Sequence, residues 1–517
     1  MVAGFVKNNH KLIHRVLEMI PGLLTWTTIL LPVWLGLIYP PAVIYLLTFL
    51  TVYWSYMALR HCIGLVRGYP KYVKEMGTDW IAECNKLSFK KLPDKKTLPA
   101  SWEQTKHLVL IPAVDEPEEV LRPSIDAILN QTYPLSQIHI VYTLEEKYAE
   151  KTSQTVLKIL GDRKNELAGF DIYVHPKGIP GEAIGAGAAN RTWGASHAVK
   201  DLEKTKEKIR DYIFTTIDAD HVLDHQYLAR LTHLYLSSDK RDNKFYATAV
   251  HLFNNNYWEV PAMMRIEANF VTLGTLASRS LPWGIGESTK DTFAAYSISL
   301  QTLVDAGYWD VSLGVDDTIF FWKAFFVRNG DFKLATHYIP YSADAVKGDT
   351  YWKSYKSLYK QLLRWGWGVI EVPFSVEQFL VNEKISLSKK LVWLYDHFKT
   401  RVLLINIVFL ITFGFGVATR INPNIKQSSF AYSLPDLMSF ILTATMVFLI
   451  PNAIYRSKIT TPMPKDWPLW RKTFGFLEGF LVIVNLLTYS FVPFVDAQTR
   501  MLLGKKMKDL YHTPKVR

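Results

Sequence analysis

Asp218 and Asp220 stand one residue apart in the stretch TTIDADHVLD (215–224), directly after a β-branched run. Two neighbouring carboxylates repel each other, so the arrangement is unfavourable unless a cation sits between them or water screens both. At the end of a strand, Asp-x-Asp directs both side chains to one side of an extended backbone, about 7 Å apart at Cα. There they can hold one divalent ion, and through it a diphosphate. Taken alone, a helix N-cap by Asp220 or Asp224 accounts for the same pattern.

Further acidic stretches shift the balance. IPAVDEPEEVL (111–121) places Asp115 and Glu116 before a helix, and YTLEEKYAE (142–150) places Glu145 and Glu146 in the equivalent position. GYWDVSLGVDDTIFFWKAFF (307–326) opens an apolar helix with Asp316-Asp317. N-capping explains one aspartate but not an adjacent pair, whereas a carboxylate at a helix start in a cleft can accept a proton from an attacking hydroxyl. Acidic groups converging on one crevice need a metal, or a ribose and base that donate hydrogen bonds to them. In YKSLYKQLLRWGWG (355–368), Gln361, Arg364 and Trp365 share one helical face. The Arg can fork onto a diphosphate and the Trp can stack on a sugar. An interfacial helix with a snorkelling Arg and a headgroup-level Trp explains that segment equally simply.

The elements that must position these groups alternate between strand and helix over about 100–345. Strand-like runs are HLVLIPA (107–113), IHIVYTL (138–144), FDIYVH (170–175), YIFTTID (212–218) and FYATAVHLF (245–253), with helices at Pro117 to Asn130 and Tyr227 to Ser237 among those between them. Such alternation predicts a parallel sheet covered by helices, with ligands beyond the carboxyl ends of its strands. No G-x-G-x-x-G follows the first strand, which argues against a dinucleotide-dependent reductase.

On either side of this polar middle the chain is apolar. Uncharged stretches run from Ile20 to Tyr39 and from Ala42 to Leu59, and comparable ones span Val402 to Thr419, Leu437 to Tyr455 and roughly Phe474 to Val495. Each is long enough to cross a bilayer, and the first two read as an uncleaved helical hairpin rather than a signal peptide. Lys7, Lys11 and Arg15 put the N-terminus and the segment after Leu59 on the cytoplasmic side. Arg456, Lys458, Lys465, Arg471 and Lys472 put their loop inside, and Arg500, Lys505, Lys506, Lys508, Lys515 and Arg517 favour the same side for the tail. Simple alternation conflicts with that: either one assignment fails, or the 474–503 region, broken near Pro493, enters and returns. The net charge of +12 suits a face against anionic lipid and an anionic substrate. No dense basic run accompanies the aromatics, so nucleic acid is not the expected partner. Cys62 and Cys84 are too few for a disulfide framework or a zinc site and read as buried thiols.

IPAVDEP, LEE, IDADH, VDDT and QLLRW, in this order and between membrane stretches, resemble the membrane-embedded family 2 glycosyltransferases, the group that includes cellulose, hyaluronan and mannan synthases. The likeness runs from roughly 20 to 517 and includes the tail YHTPKVR. It implies an α/β GT-A domain flanked by transmembrane helices, with a terminal hairpin over 1–66, a cytoplasmic catalytic domain with interfacial helices over 67–380, and a membrane region with a basic tail over 381–517. It implies inverting hexosyl transfer from a nucleotide-diphospho-sugar to a growing polysaccharide or lipid-linked acceptor, with Mg²⁺ or Mn²⁺, at the plasma (inner) membrane. Asp115, Glu116 and Glu145 then face the nucleotide, with Asn190 also on the donor side. Asp218 and Asp220 match the metal and diphosphate motif, Asp317 the catalytic base with Asp316 beside it, and Gln361, Arg364 and Trp365 the motif at the diphosphate and acceptor.

Two features depart from the family pattern. GEAIGAGAANRTWG has Gly185 and Ala186 where a Lys is expected, which leaves diphosphate contact to Arg191 or Lys177. His221 reads as a surface or supporting histidine rather than a ligand. The competing functions are single-sugar transfer to a polyprenyl phosphate, which product length separates from polymer synthesis, and a non-catalytic membrane scaffold that retains a nucleotide-binding fold. Residues that select the sugar are expected near LPWGIGESTKDTF (281–293), and 254–279 reads as an interfacial helix or as ordinary core.

Overall fold

The computed structural model describes residues 2–183, 187–281, 290, 293, 295–427 and 429–507. Gly185, Ala186, most of 281–293 and the tail 511–517 therefore lie outside the described residues, as does the side chain of Asp316. The chain divides into two compact units, one comprising Met1–Tyr69, Pro261–Glu287 and Tyr355–Lys506, the other containing Pro70–Val260 and Ser288–Ser354.

The second unit is built on β1 (Lys106–Ala113), β2 (Ile138–Glu145), β3 (Gly169–His175), β4 (Tyr212–Thr216), β5 (Val222–Leu223), β6 (Lys244–Thr248), β7 (His251–Leu252), β8 (Tyr296–Ser299), β9 (Lys333–His337) and β10 (Tyr341–Ser342). Seven of them form one sheet in the order β3-β2-β1-β4-β8-β6-β9. β1 to β4 are parallel neighbours, as the strand and helix alternation predicts. β8 departs from that prediction by lying antiparallel between β4 and β6. Its segment, YSIS, is too short and too polar at alternate positions to announce a central strand, yet all four residues are buried. β1, β2 and β4 are buried almost throughout, as near-continuous apolar runs covered on both faces require. The run 245–253 splits into β6 and β7, and β7 joins a second sheet of order β5-β10-β7.

Helix Gly187–Lys204 lies against β1, β2 and β3. Gly194 permits the approach: a Cβ there would overlap Thr143 Oγ1 of β2 and sit 3.2 Å from Leu110 Cδ1 of β1. A tetrahedral carbon cannot enter so tight a contact without moving the helix.

The first unit is helical. Among the described residues, four helices are long and apolar enough to cross a membrane: Pro40–Met76, Leu387–Ile421, Tyr432–Ile459 and Leu469–Leu502. The expected first span is instead a pair, His10–Ile29 and Leu31–Ile38, bent by 62°. Leu30 and Pro32 mark the bend, since a proline next to a helix start cannot continue the preceding hydrogen-bond ladder. The 469–502 stretch is interrupted at 488–491, with Pro493 in the first turn of the helix Val492–Leu502 that follows. Within 254–279 the helix is Ala262–Ser280, and it packs at Ala277 and Ser280 against Gly64 and Gly68. A glycine pair four apart is the usual means of close helix approach where no hydrophobic force drives association. Both cysteines are free and buried, and burial pushes the Cys84 thiol up to about 12.

Gly194→Ala is expected to lower the stability of the sheet unit by about 1–3 kcal/mol. Adding Thr143→Ala, which removes the obstructing hydroxyl, is expected to restore most of the loss. Thermal melts of the single and double variants check this, and equal melting of wild type and Gly194→Ala contradicts the packing.

Candidate active site

The acidic residues gather where β1, β2 and β4 end. Asp115 lies just beyond β1 and accepts from Lys151 Nζ at 2.7 Å. Glu116 is 8% exposed and folds back so that Oε2 accepts the Val114 N–H at 2.6 Å. Glu145 closes β2 and Glu146 accepts the Lys177 N–H at 3.0 Å. Lys177, one of the two candidate diphosphate cations, is itself exposed.

β3 adds a residue that sequence reasoning missed. His175 is buried between two carboxylates, with Nε2 3.0 Å from Glu182 Oε2 and Nδ1 3.7 Å from Glu145 Oε2. The Glu145 carboxylate raises its pKa above the ordinary histidine value, against an opposing effect of burial. Next to Glu182, the Ala183 N–H donates to Val311 O at 2.8 Å, fastening this loop to the approach of the helix Asp316–Val327. Only the pairing of strands β2 and β3 joins residues 145 and 175, so no local spacing signals the contact.

Asp218 and Asp220 follow β4 in a turn rather than on an extended backbone. With His221 they offer ligand atoms that lie within 4.8 Å of one another. His221 is buried, correcting the surface reading, and its ring lies 4.5 Å from that of Tyr341. Its Nδ1 accepts the Asp218 N–H at 3.2 Å. A neutral ring in that state carries its proton on Nε2, so His221 supports the turn and the two carboxylates supply the oxygen donors. Hard oxygen donors of this kind fit Mg²⁺ or Mn²⁺. Asp220 is completely buried, and its Oδ2 accepts the Asp344 N–H at 2.8 Å. Asn255 ties the same pair, donating to Asp220 O at 3.0 Å and to Asp344 Oδ1 at 2.9 Å. Antiparallel pairing of β5 with β10 sets Asp344 opposite Asp220. That pairing joins segments some 120 residues apart, which no sequence pattern encodes.

Arg191 links the turn to the helix Asp316–Val327. It is 4% exposed on helix Gly187–Lys204. Nε donates to Thr216 Oγ1 at 3.2 Å, Nη2 to Asp218 Oδ1 at 2.8 Å, and Nη1 lies 3.7 Å from Asp317 Oδ1. Asp317 thereby shares one guanidinium with Asp218, although about one hundred residues separate them. Asp316 and Asp317 open their helix, and Val315, not an aspartate side chain, occupies the N-cap. Negative charge in the first turn complements the helix dipole. Asn190, next to Arg191, is buried and donates Nδ2 to Thr143 O at 3.2 Å, which fixes the helix on β2. Gln361, Arg364 and Trp365 lie together on helix Tyr351–Gly366, as their spacing predicts, in the unit that holds the apolar helices. Leu358 and Leu362 are buried while Trp365 is exposed.

Residues 213–455 match the family described as glycosyl transferase family group 2. Over just under half of its length the chain is therefore similar to family 2 glycosyltransferases. The match opens at β4 and takes in Asp218, Asp220, Asp317 and the Gln361 to Trp365 helix; β1 to β3 and Arg191 precede it. Among solved structures, the chain is similar to the mannosyltransferase PcManGT from Pyrobaculum calidifontis in complex with GDP-Man and Mn²⁺. Identity there is 13% and the TM-score 0.41, over 87% of this chain and 99% of that one. It is also similar to S. aureus TarS 1–349 in complex with UDP-GlcNAc, at 12% identity and a TM-score of 0.33, over 63% of this chain and 91% of that one. No curated protein sequence matches it.

The His175 contacts carry a pH signature. A raised folded-state pKa means that the pairing contributes in full below the ordinary value of about 6.5 and fades as pH rises through the folded value. Wild-type protein is expected to melt above His175→Gln at about pH 6, with the gap narrowing toward about pH 9. Thermal melts across that range check it, and a gap that does not change with pH contradicts the pairing.

Proposed function

We propose that this glycosyltransferase moves a hexose, with inversion, from a nucleotide-diphospho-sugar to a growing polysaccharide or lipid-linked acceptor. The observation that carries the reading is the shared guanidinium, which brings the Asp218 turn and Asp317 to one place at the carboxyl ends of the parallel strands. In open α/β sheets that end is where ligands bind.

In this reading Asp115, Glu116 and Glu145 face the nucleotide, and Asn190 holds the helix that lines the donor. Asp218 and Asp220 hold the divalent ion, which when bound neutralises charge on the diphosphate. Asp317, with Asp316 beside it, takes the proton of the acceptor hydroxyl as that oxygen bonds to the anomeric carbon. The bond from that carbon to the diphosphate breaks on the opposite side, and the electron pair leaves with the nucleoside diphosphate. A single displacement of this kind inverts the anomeric centre. On the family resemblance, Gln361, Arg364 and Trp365 are assigned to the acceptor and the diphosphate.

The four candidate spans support residence in a bilayer, and we read the catalytic domain, within 67–380, as lying on the inner side of the plasma membrane. Nucleotide sugars are at hand there, and the apolar helices give a lipid-linked or polymeric product somewhere to go.

Membranes containing the protein are expected to release nucleoside diphosphate from a nucleotide sugar only with divalent cation. Asp220→Asn and Asp317→Asn are each expected to lower the rate by at least about 100-fold, the scale on which general-base and charge-stabilising groups act. Release retained in both variants contradicts the assignment.

A further inference from the structure

We propose that Arg191 is an electrostatic latch: without donor it occupies the Asp218 and Asp317 carboxylates, and the donor diphosphate draws it away, making the cation site and the base competent together. The proposal rests on the reading of the preceding subsection and adds an order of events to it.

Arg191 is poorly placed to be a mere structural pin. Its guanidinium reaches two carboxylates from different elements, at 2.8 Å and 3.7 Å, while Thr216 Oγ1 steadies Nε. Asp218 is also one of the two carboxylates whose oxygens are grouped closely enough to hold a cation. A guanidinium on Asp218 and a divalent cation on Asp218 compete for the same negative charge, and their mutual repulsion is strong where water is scarce. Arg191 is 4% exposed while the Asp218 side chain is 35% exposed, so water screens that repulsion only in part. A diphosphate offers the planar guanidinium a bidentate partner of higher charge than a carboxylate. When it arrives, Arg191 exchanges one anion for another without being left uncompensated, and Asp218 becomes available to the cation. Asp317 loses its cationic neighbour in the same motion, so its carboxylate becomes accessible to the acceptor hydroxyl.

The position of Arg191 in the chain agrees with this role. It follows Asn190, and the Lys expected ahead of that asparagine is replaced by Gly185. A cation ahead of Asn190 would not have to be the group that bridges Asp218 and Asp317. In this chain the buried cation at the carboxylates is the bridging residue itself, so holding the acids and receiving the diphosphate fall to one side chain.

The latch is tested by Mn²⁺ binding to the full chain in detergent, followed by electron paramagnetic resonance, alone and with GDP or UDP. Wild type is expected to bind Mn²⁺ weakly alone and more tightly with a nucleoside diphosphate. Arg191→Gln is expected to bind Mn²⁺ alone on the order of tenfold more tightly than wild type, with a smaller gain from nucleotide. Arg191→Lys, which keeps the charge and protects the fold, is expected to fall between them. Arg191→Gln or Arg191→Lys binding Mn²⁺ alone no more tightly than wild type, while wild type still binds it with nucleotide, overturns the latch and leaves the proposed function standing. Wild type that binds no Mn²⁺ under any of these conditions overturns both.

Discussion

Carboxylates gather in a protein more readily beside positive charge, and among the described residues one buried arginine spans two of these acids. Arg191 faces Asp218 on one side and Asp317 on the other, and Thr216 holds its third nitrogen. Remove that guanidinium and the two acids lose the cation they share, with solvent reaching Asp218 more than Asp317. Much of the sheet unit can be read as the means of delivering this side chain. Gly194 lets the helix that carries it sit close on β1 and β2, and Asn190 bolts the helix to the Thr143 carbonyl. The end of β4 supplies both Thr216 and the turn that follows.

The neighbouring acids are handled by backbone and by histidine. Asp220, fully buried, receives a main-chain N–H from Asp344, and Asn255 fixes the spacing of that pair. Main-chain donors hold a carboxylate in its charged form without adding a formal cation that would repel a metal. At the other side of the sheet His175 stands between Glu145 and Glu182. The site is thus graded: a formal cation at Asp218 and Asp317, neutral donors at Asp220, and a titratable cation between Glu145 and Glu182. In the helical unit the long apolar helices obey a different constraint, internal satisfaction of backbone groups in lipid, and glycine contacts such as Gly64 with Ala277 set their spacing.

What could be read from the sequence follows from how local each signal is. β1, β2 and β4 are near-continuous apolar runs bounded by turn residues, and the parallel sense of β1 to β4 follows from alternation with helices, whereas their order does not. Asp218 and Asp220 are visible because they stand one residue apart at the end of such a run, and Asp317 because a pair of acids at a helix start exceeds what a cap needs. β8 was not visible: four residues with two serines carry too little pattern to mark a central, antiparallel strand. Asp344, Asn255 and His175 were hidden for another reason, since each reaches its partner through strand pairing across tens to more than a hundred residues. The break at Leu30 was missed because an uncharged stretch reads as one span whether or not a proline bends it. Arg191 could be named as a candidate cation, yet only its burial between two acids gives it more than one task.

The central claim is that the β4 turn, Arg191 and the start of the 316–327 helix together surround one donor. Its most direct test is an electron cryomicroscopy map of the full chain in lipid nanodiscs with Mn²⁺ and a nucleoside diphosphate. The account predicts density for the cation at Asp218 and Asp220, with the diphosphate beside it and Asp317 facing the same space. Nucleotide and cation bound away from these three aspartates would contradict it.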